Sequence, residues 1–327
     1  MTIAARIEAM WWLNKVPPLP LRWASLIYDF INRRNLERRA SITVDPPVPL
    51  ISVGNITVGG SGKTPFVIWL CAELKERGYR PVVLCRGDGG NLQQPRRVLP
   101  GDAAHEVGDE ALLLALRSGS PVIAGRDRVA GARLAASLGD VIVLDDGFQY
   151  RQLGRSCDIV LLPAAGIGNG HLLPAGPLRE KPGALGRADL VVRTGSETTA
   201  PLSARPEWHW HAEAQPVRPV SGGEIPAASP WLAVAGIARA ERFFAAAANA
   251  VNIRQEIRFA DHHRYTAADV ARTLRPGLPV LTTEKDAVKL LPLWPKNSPL
   301  SVLPLAGYGQ QGLPEAIIKT MLSHRKT

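Results

Sequence analysis

The chain has 327 residues, 46% of them hydrophobic and 21% charged, with a formal net charge of +10. That length allows one large domain or two ordinary ones, and the composition excludes a disordered chain. The charge calls for an anionic partner, but aromatics at 6% and the lack of zinc-finger spacing or an RNA-binding signature leave nucleic acid the weakest choice beside anionic lipid or a phosphorylated substrate.

The first forty residues carry two apolar stripes at helical spacing. Ile3, Ile7, Met10 and Trp11 form one, and after the Pro17-Pro18-Leu19-Pro20 break Trp23, Leu26, Ile27, Phe30 and Ile31 form the second. Arg33, Arg34, Arg38 and Arg39 follow, and seven basic against three acidic side chains leave residues 1–40 at +4. Such helices suit a membrane headgroup boundary, and they equally suit packing on a main domain. The segment lacks the basic, apolar and small-residue order of a cleavable signal peptide, and no apolar run approaches bilayer-spanning length.

Leu50-Ile51-Ser52-Val53 reads as a buried strand, and residues 64–77 read as a helix stopping at Gly78. Between them Thr57-Val58-Gly59-Gly60-Ser61-Gly62-Lys63-Thr64 reads as a phosphate-binding loop. Its glycines let backbone N–H groups turn toward an anion, Lys63 reaches the outer phosphates, and the Thr64 hydroxyl sits on Mg²⁺. Thr57 stands where the usual pattern has glycine.

Strands and helices then alternate: strand 81–85, helix 110–117, strand 121–124, helix 126–138, and strands 141–144, 158–162 and 189–192. Short, fully apolar strands alternating with helices predict a parallel sheet covered on both faces, with ligands beyond the strands' carboxyl ends. Residues 194–226, rich in Pro, Ser, Thr and Gly, read as a linker with extended segments. A second alternation follows: strand 231–236, helices 239–250 and 266–274, strand 279–281, and a last helix over 313–323 that could return to the first domain. The predicted fold is α/β: a P-loop NTPase-like, doubly wound parallel sheet (46–200), a linker (201–228), a smaller α/β domain (229–327), and an N-terminal amphipathic helical segment (1–45). Cys71, Cys85 and Cys157 lie in apolar or strand-like contexts with neither disulfide nor metal spacing, which fits a reducing compartment.

Four clusters could do chemistry. Asp145-Asp146 end an apolar strand, where phosphate-loop enzymes hold Mg²⁺ with an acidic residue. Asp109 in Gly108-Asp109-Glu110 opens a helix and is by position a good N-cap. Asp261-His262-His263 lacks further zinc-type ligands, and a histidine there could orient or assist a base on another domain. Thr283-Glu284-Lys285-Asp286 follows a strand but lacks the spacer of a guanine-reading motif.

Taken together, Gly54-Asn55 with residues 59–65, Arg86-Gly87, Gly108-Asp109-Glu110, Asp145-Asp146-Gly147-Phe148-Gln149, residues 173–180 (Leu-Pro-Ala-Gly-Pro-Leu-Arg-Glu), Asp261-His262-His263 and Thr283-Glu284-Lys285-Asp286 resemble the tetraacyldisaccharide 4′-kinase family of lipid A biosynthesis. These blocks run in order over most of the chain. The family tolerates the missing glycine at Thr57; Asp88 stands where it has tyrosine. The resemblance implies a phosphotransferase with an alcohol acceptor, moving the γ-phosphoryl group of ATP, with Mg²⁺, to the 4′-hydroxyl of a lipid disaccharide 1-phosphate. It implies a peripheral, monotopic enzyme on the cytoplasmic face of the bacterial inner membrane, with no nucleic acid and no obligate protein partner. It raises Asp109 from cap to base, with His262 or His263 assisting and Lys63 stabilising charge. Arg86, Arg126 or Arg128 would contact phosphates, and Asn55, Arg86, Glu110, Gln149 and Glu180 are candidates for substrate contact. The alternative is a P-loop ATPase switch or metallochaperone acting on a protein partner.

Overall fold

Apolar strands and the helices between them assemble into two sheets. In this computed structural model the described residues are 7, 10–12, 16–195, 201–202, 206–222, 225, 229–274 and 278–323. Ile3, from the first predicted stripe, lies outside them.

The elements of the first half are α1 (Leu19–Ala40), β1 (Leu50–Gly54), α2 (Lys63–Glu76), β2 (Pro81–Cys85), β3 (Arg96–Val98), α3 (Ala104–Val107), α4 (Asp109–Arg117), β4 (Val122–Ala124), α5 (Arg128–Ala136), β5 (Val141–Asp145), β6 (Cys157–Pro163) and β7 (Leu190–Thr194). The second half adds β8 (Glu207–Ala214), β9 (Arg218–Ser221), β10 (Trp231–Ala235), α6 (Ala240–Ala250), β11 (Ile253–Arg258), α7 (Ala267–Thr273), β12 (Val280–Thr282), α8 (Glu284–Leu290), β13 (Leu300–Val302), β14 (Leu305–Gly309) and α9 (Leu313–Ser323).

The large sheet runs β14-β8-β7-β6-β1-β5-β2-β4-β3. Its interior pairs are parallel, and β14 and β3 close its edges antiparallel. Central strands such as β1 and β5 are buried along their whole length, as their uninterrupted apolar sequences require. Successive side chains leave on opposite faces. Ile51 and Val53 pack with Phe66, Leu70 and Leu74 of α2 and with Ile317 and Met321 of α9, while Leu50 packs with Ala132 and Ala135 of α5. The smaller sheet runs β11-β10-β12-β13-β9, with only β9 antiparallel.

Two features add to the sequence reading. The stretch read as a linker carries two strands: β8 joins the large sheet and β9 the small one. Their short, mixed-polarity sequences give no buried periodicity, since β8, next to the edge strand β14, is mostly exposed. The helix over 19–40 is inverted relative to an ordinary packed helix. Its polar face is docked: Ser25 Oγ donates to Leu172 O at 2.9 Å, and Asn32 Nδ2 donates to Arg179 O at 2.8 Å. Asp29 is buried between Arg33 at 3.1 Å and Lys181 at 2.9 Å. Trp23, Leu26, Ile27, Phe30 and Ile31 all face outward, 53–68% exposed.

Candidate active site

The C-terminal end of β1 leads directly into the glycine-rich loop. Gly54 is required there, because a Cβ would lie 2.5 Å from the Cβ of Phe148. Asn55 Nδ2 then donates to Ser61 Oγ at 2.9 Å and spans the loop from beneath. Gly62 caps α2 with φ +79°, a left-handed conformation that favours glycine, and its α-carbon faces the Trp210 ring. Gly59, Gly60, Ser61, Gly62, Lys63 and Thr64 line a cleft of about 360 Å³. Thr57 and Val58 do not line it. Thr57 bridges to Leu178, and Val58 N donates to Pro177 O at 2.8 Å, so this end of the loop is tied to the 173–180 turn.

Opposite the loop, β5 delivers its two carboxylates in different environments. Asp146, at φ +49°, is held by Arg179 Nη1 at 3.0 Å from both its oxygens and by Lys63 Nζ at 3.4 Å. Arg128, itself buried, donates to the Asp146 carbonyl at 2.9 Å. Burial works against the Asp146 anion, but Lys63 and Arg179 outweigh it and hold the carboxyl well below its ordinary value. Among the described residues Asp145 has no such ion pair. Burial, reinforced by the negative charge of Glu110, pushes it up to about 7. Two adjacent residues thus differ in what they can do: Asp146 is a neutralised anchor, and Asp145 is a hard oxygen donor facing the cleft beside Lys63 and Thr64.

The third wall brings the two sheets together. Gly108, at φ +96°, is the N-cap of α4, so Asp109 is the first helical residue and not the cap its position suggested. Its Oδ1 accepts the Glu110 N–H at 2.9 Å, and His262 Nδ1 lies 3.2 Å from its Oδ2. Asp109 is only 5% exposed. Burial works to raise its carboxyl, but the His262 hydrogen bond and the Lys285 charge outweigh it, and the group sits below the ordinary value. His262 is raised by the same bond, with partial burial and Lys285 opposing. Lys285 Nζ bridges Glu110 Oε1 at 2.8 Å and His262 Nε2 at 3.2 Å. Burial works to lower its ammonium, and Glu110 and Asp109 outweigh that and raise it. Lys289 Nζ stands 3.7 Å from Asp109 Oδ2.

The remaining predicted residues divide clearly. Arg86 and Glu110 line the cleft, and Asp88 there pairs with Arg86 at 3.3 Å. Asn55, Gln149 and Glu180 are taken up by one another: Gln149 Nε2 donates to Asn55 O at 2.9 Å and to Glu180 Oε1 at 3.0 Å, and Arg187 holds the other Glu180 oxygen at 2.8 Å. Arg126 is exposed outside the cleft, whereas Arg128 lines it. His263 turns away, with Nε2 3.1 Å from Asp269 Oδ2 and its ring stacked on Phe259 at 4.5 Å. Of the two histidines, His262 alone meets Asp109. Sequence reasoning had not assigned Arg179, Lys285 or Lys289 to the site. Arg179 ends the Pro-Ala-Gly-Pro-Leu-Arg-Glu block, which was the available signal; for Lys289 the sequence offered none.

Known proteins resemble the chain over most of its length. The family profile described as "Tetraacyldisaccharide-1-P 4′-kinase" matches residues 18–321. The chain is 40% identical over 311 residues to a protein of Azoarcus sp. (strain BH72) named tetraacyldisaccharide 4′-kinase, covering 88% of each chain. A protein of the same name from Thiobacillus denitrificans is 42% identical over 319 residues, covering 89% of this chain and 92% of that one. Among solved structures, LpxK from Aquifex aeolicus in complex with ATP superposes with a TM-score of 0.76 at 29% identity, covering 92% of this chain and 99% of that one.

Proposed function

The chain belongs to the tetraacyldisaccharide-1-P 4′-kinase family, and we propose the following working of its cleft. It is a phosphotransferase with an alcohol as acceptor, carrying the γ-phosphoryl group of ATP to the 4′-hydroxyl of a tetraacyldisaccharide 1-phosphate. The observation that carries the reading is the single cleft in which residues 59–64 face Glu110, His262 and Lys285 from the other side. The relatives compared above are kinases by name, which leaves the ATPase-switch alternative without support.

Backbone N–H groups of residues 59–64 and the α2 N-terminus hold the ATP phosphates, and Lys63 lies against the group in transfer. Asp109 is ionised at neutral pH because its carboxyl lies below its ordinary value. It accepts the proton that the 4′-hydroxyl must lose as the new oxygen–phosphorus bond forms and the bond to ADP breaks. His262 holds one of its oxygens and fixes the direction of the remaining lone pairs. Arg128 and Arg179 keep Asp146 fixed, so that Lys63 is shared between a protein carboxylate and the incoming phosphate.

Thr64 and Asp145 would hold Mg²⁺. Their hydroxyl and carboxylate are hard oxygen donors. Among the described residues no three His, Cys, Asp or Glu side chains form a metal cluster, which fits an ion that takes its other ligands from water and phosphate. When bound, Mg²⁺ neutralises negative charge on the phosphates.

The inverted helix α1 supports a peripheral seat on the cytoplasmic face of the inner membrane. Its docked polar face leaves Trp23, Leu26, Ile27 and Phe30 to enter the headgroup boundary. No described helix is long and apolar enough to cross a bilayer. Such a seat meets a substrate whose acyl chains cannot leave the bilayer cheaply.

The test is phosphorylation of a lipid disaccharide 1-phosphate by the full chain with ATP and Mg²⁺, followed by mass spectrometry. A product heavier by one phosphoryl group, with ATP consumed only when acceptor is present, is expected. ATP turnover at the same rate without acceptor would return the protein to the switch reading.

A further inference from the structure

Within Thr283-Glu284-Lys285-Asp286, Glu284 and Lys285 line the cleft, and the segment is rigidly built. Thr283 Oγ1 accepts the Asp286 N–H at 3.0 Å, and Asp286 Oδ2 accepts the Gly236 N–H at 2.8 Å. This cap fixes the first turn of α8 against β10 and aims Lys285 across the cleft. Its Nζ meets Glu110 Oε1 at 2.8 Å and His262 Nε2 at 3.2 Å.

The contact has a chemical direction. A lysine ammonium carries three donors and no acceptor, and a neutral imidazole has one nitrogen of each kind. Facing Lys285, His262 Nε2 must be the acceptor. The ring proton therefore sits on Nδ1, which points at Asp109 Oδ2 from 3.2 Å. We infer that Lys285 is a positioning residue that sets the tautomer of His262 and thereby the hydrogen bond that orients Asp109. The inference rests on the reading of Asp109 as base.

The charged groups facing His262 are Asp109 from α4, Lys285 from α8 and, at 3.9 Å, Asp261 of its own loop. The two aspartates favour a second proton on the ring and Lys285 opposes it. Without Lys285, Nε2 is open to protonation. The imidazolium so formed would draw harder on Asp109 and weaken it as a proton acceptor. Lys285 also pairs with Glu110 on α4, so the pre-set imidazole reaches Asp109 in register with a second contact between the two units.

Nitrogen-15 NMR of histidine-labelled, full-length protein reads the tautomer directly. At a pH where His262 is neutral, a protonated Nδ1 and an unprotonated Nε2 are expected; a protonated Nε2 in the native protein overturns the inference, whatever the variants do. Lys285→Met should move the acid limb of the kcat profile to higher pH and lower kcat there on the order of tenfold, with KM for ATP unchanged; this is less than the 10²–10⁴-fold that loss of a base costs. Lys285→Arg, again a donor only, should restore both. An unmoved acid limb in folded Lys285→Met overturns the inference. His262→Ala with unaltered kcat would instead remove the reading of the Asp109–His262 pair, leaving the NMR result standing.

Discussion

His262 Nδ1 lies 3.2 Å from Asp109 Oδ2, although 153 positions separate the two residues in the chain. One stands on the helix that follows β3 and α3, the other on the loop after β11, so the pair exists only while the small sheet is seated on the large one. Asp109→Asn keeps the shape and removes the proton acceptor. It should lower kcat by 10²–10⁴-fold, on the order of magnitude typical of a base, and leave ATP affinity unchanged. Combined with His262→Ala, the loss should be far smaller than the product of the single losses, because the two act as a unit. Single-turnover phosphorylation and ATP titration of each variant measure both; additive losses would mean that the residues work separately.

Lys63→Ala removes the positive charge beside the group in transfer and leaves Asp146 paired with Arg179 alone. The expected loss is roughly 10²–10³-fold in kcat. The fold should survive, because Arg179 and Arg128 still hold the Asp146 loop. Near-normal turnover by a folded variant would remove the phosphate-loop assignment.

Gly62→Ala tests the turn that opens α2. At φ +79° a side chain costs about 1–2 kcal/mol, and its Cβ would lie 3.3 Å from the Trp210 ring. Melting temperature and ATP affinity should fall together, with tryptophan fluorescence altered even without nucleotide. Unchanged ATP affinity would show that the loop geometry does not depend on this residue.

Replacing Trp23, Leu26, Ile27 and Phe30 by Ser should release the protein from anionic vesicles without lowering its melting temperature. These side chains are exposed, so the fold loses nothing, while a membrane loses roughly 1.5–3 kcal/mol of burial for each large side chain. Vesicle co-sedimentation reads the outcome; undiminished binding would return α1 to a packing role.

Asp158 supplies a pH signature away from the cleft. Burial in β6 pushes its carboxyl from 3.8 up to about 6, against the pull of Arg155 at 3.5 Å. The folded chain therefore binds more protons than the unfolded one across that interval, and the stability this provides is lost as pH rises through about 6. The shift corresponds to roughly 3 kcal/mol at 1.36 kcal/mol per pH unit. Asp158→Asn should flatten the fall of melting temperature between about pH 4 and 6; a slope equal to the wild type would mean that the carboxylate is solvated in the native protein.

The sequence was most legible where burial leaves one solution. The uninterrupted apolar runs at 50–53, 81–85, 141–144 and 158–162 became central strands, because a strand covered on both faces needs no alternation. Strands at or next to an edge were illegible for the opposite reason: β8, β9 and β14 carry exposed or mixed positions and gain their identity from their neighbours. The site divides along the same line. Residues 59–64 and Asp145 follow local strand–turn–helix geometry and could be read from the chain. Gln149 and Glu180 became partners of each other, and Lys285 reached Glu110 across 175 positions, through tertiary contacts that no spacing rule encodes.

The chain passes between the sheets twice, after β8 and before β14, and these strands pair antiparallel from Leu305↔Ala214 to Gly309↔Trp210. The passages themselves are joined, with Gln215 N donating to Pro304 O at 2.8 Å. Two adjacent, cross-linked plies form a strap: bending across it leaves the ladder intact, whereas shearing one ply along the other would break it. His262 and Lys285 both lie on the small-sheet side of that strap and touch each other there. Their mutual alignment is therefore independent of the contacts that cross to α4. Imidazole and ammonium thus meet α4 already set relative to each other.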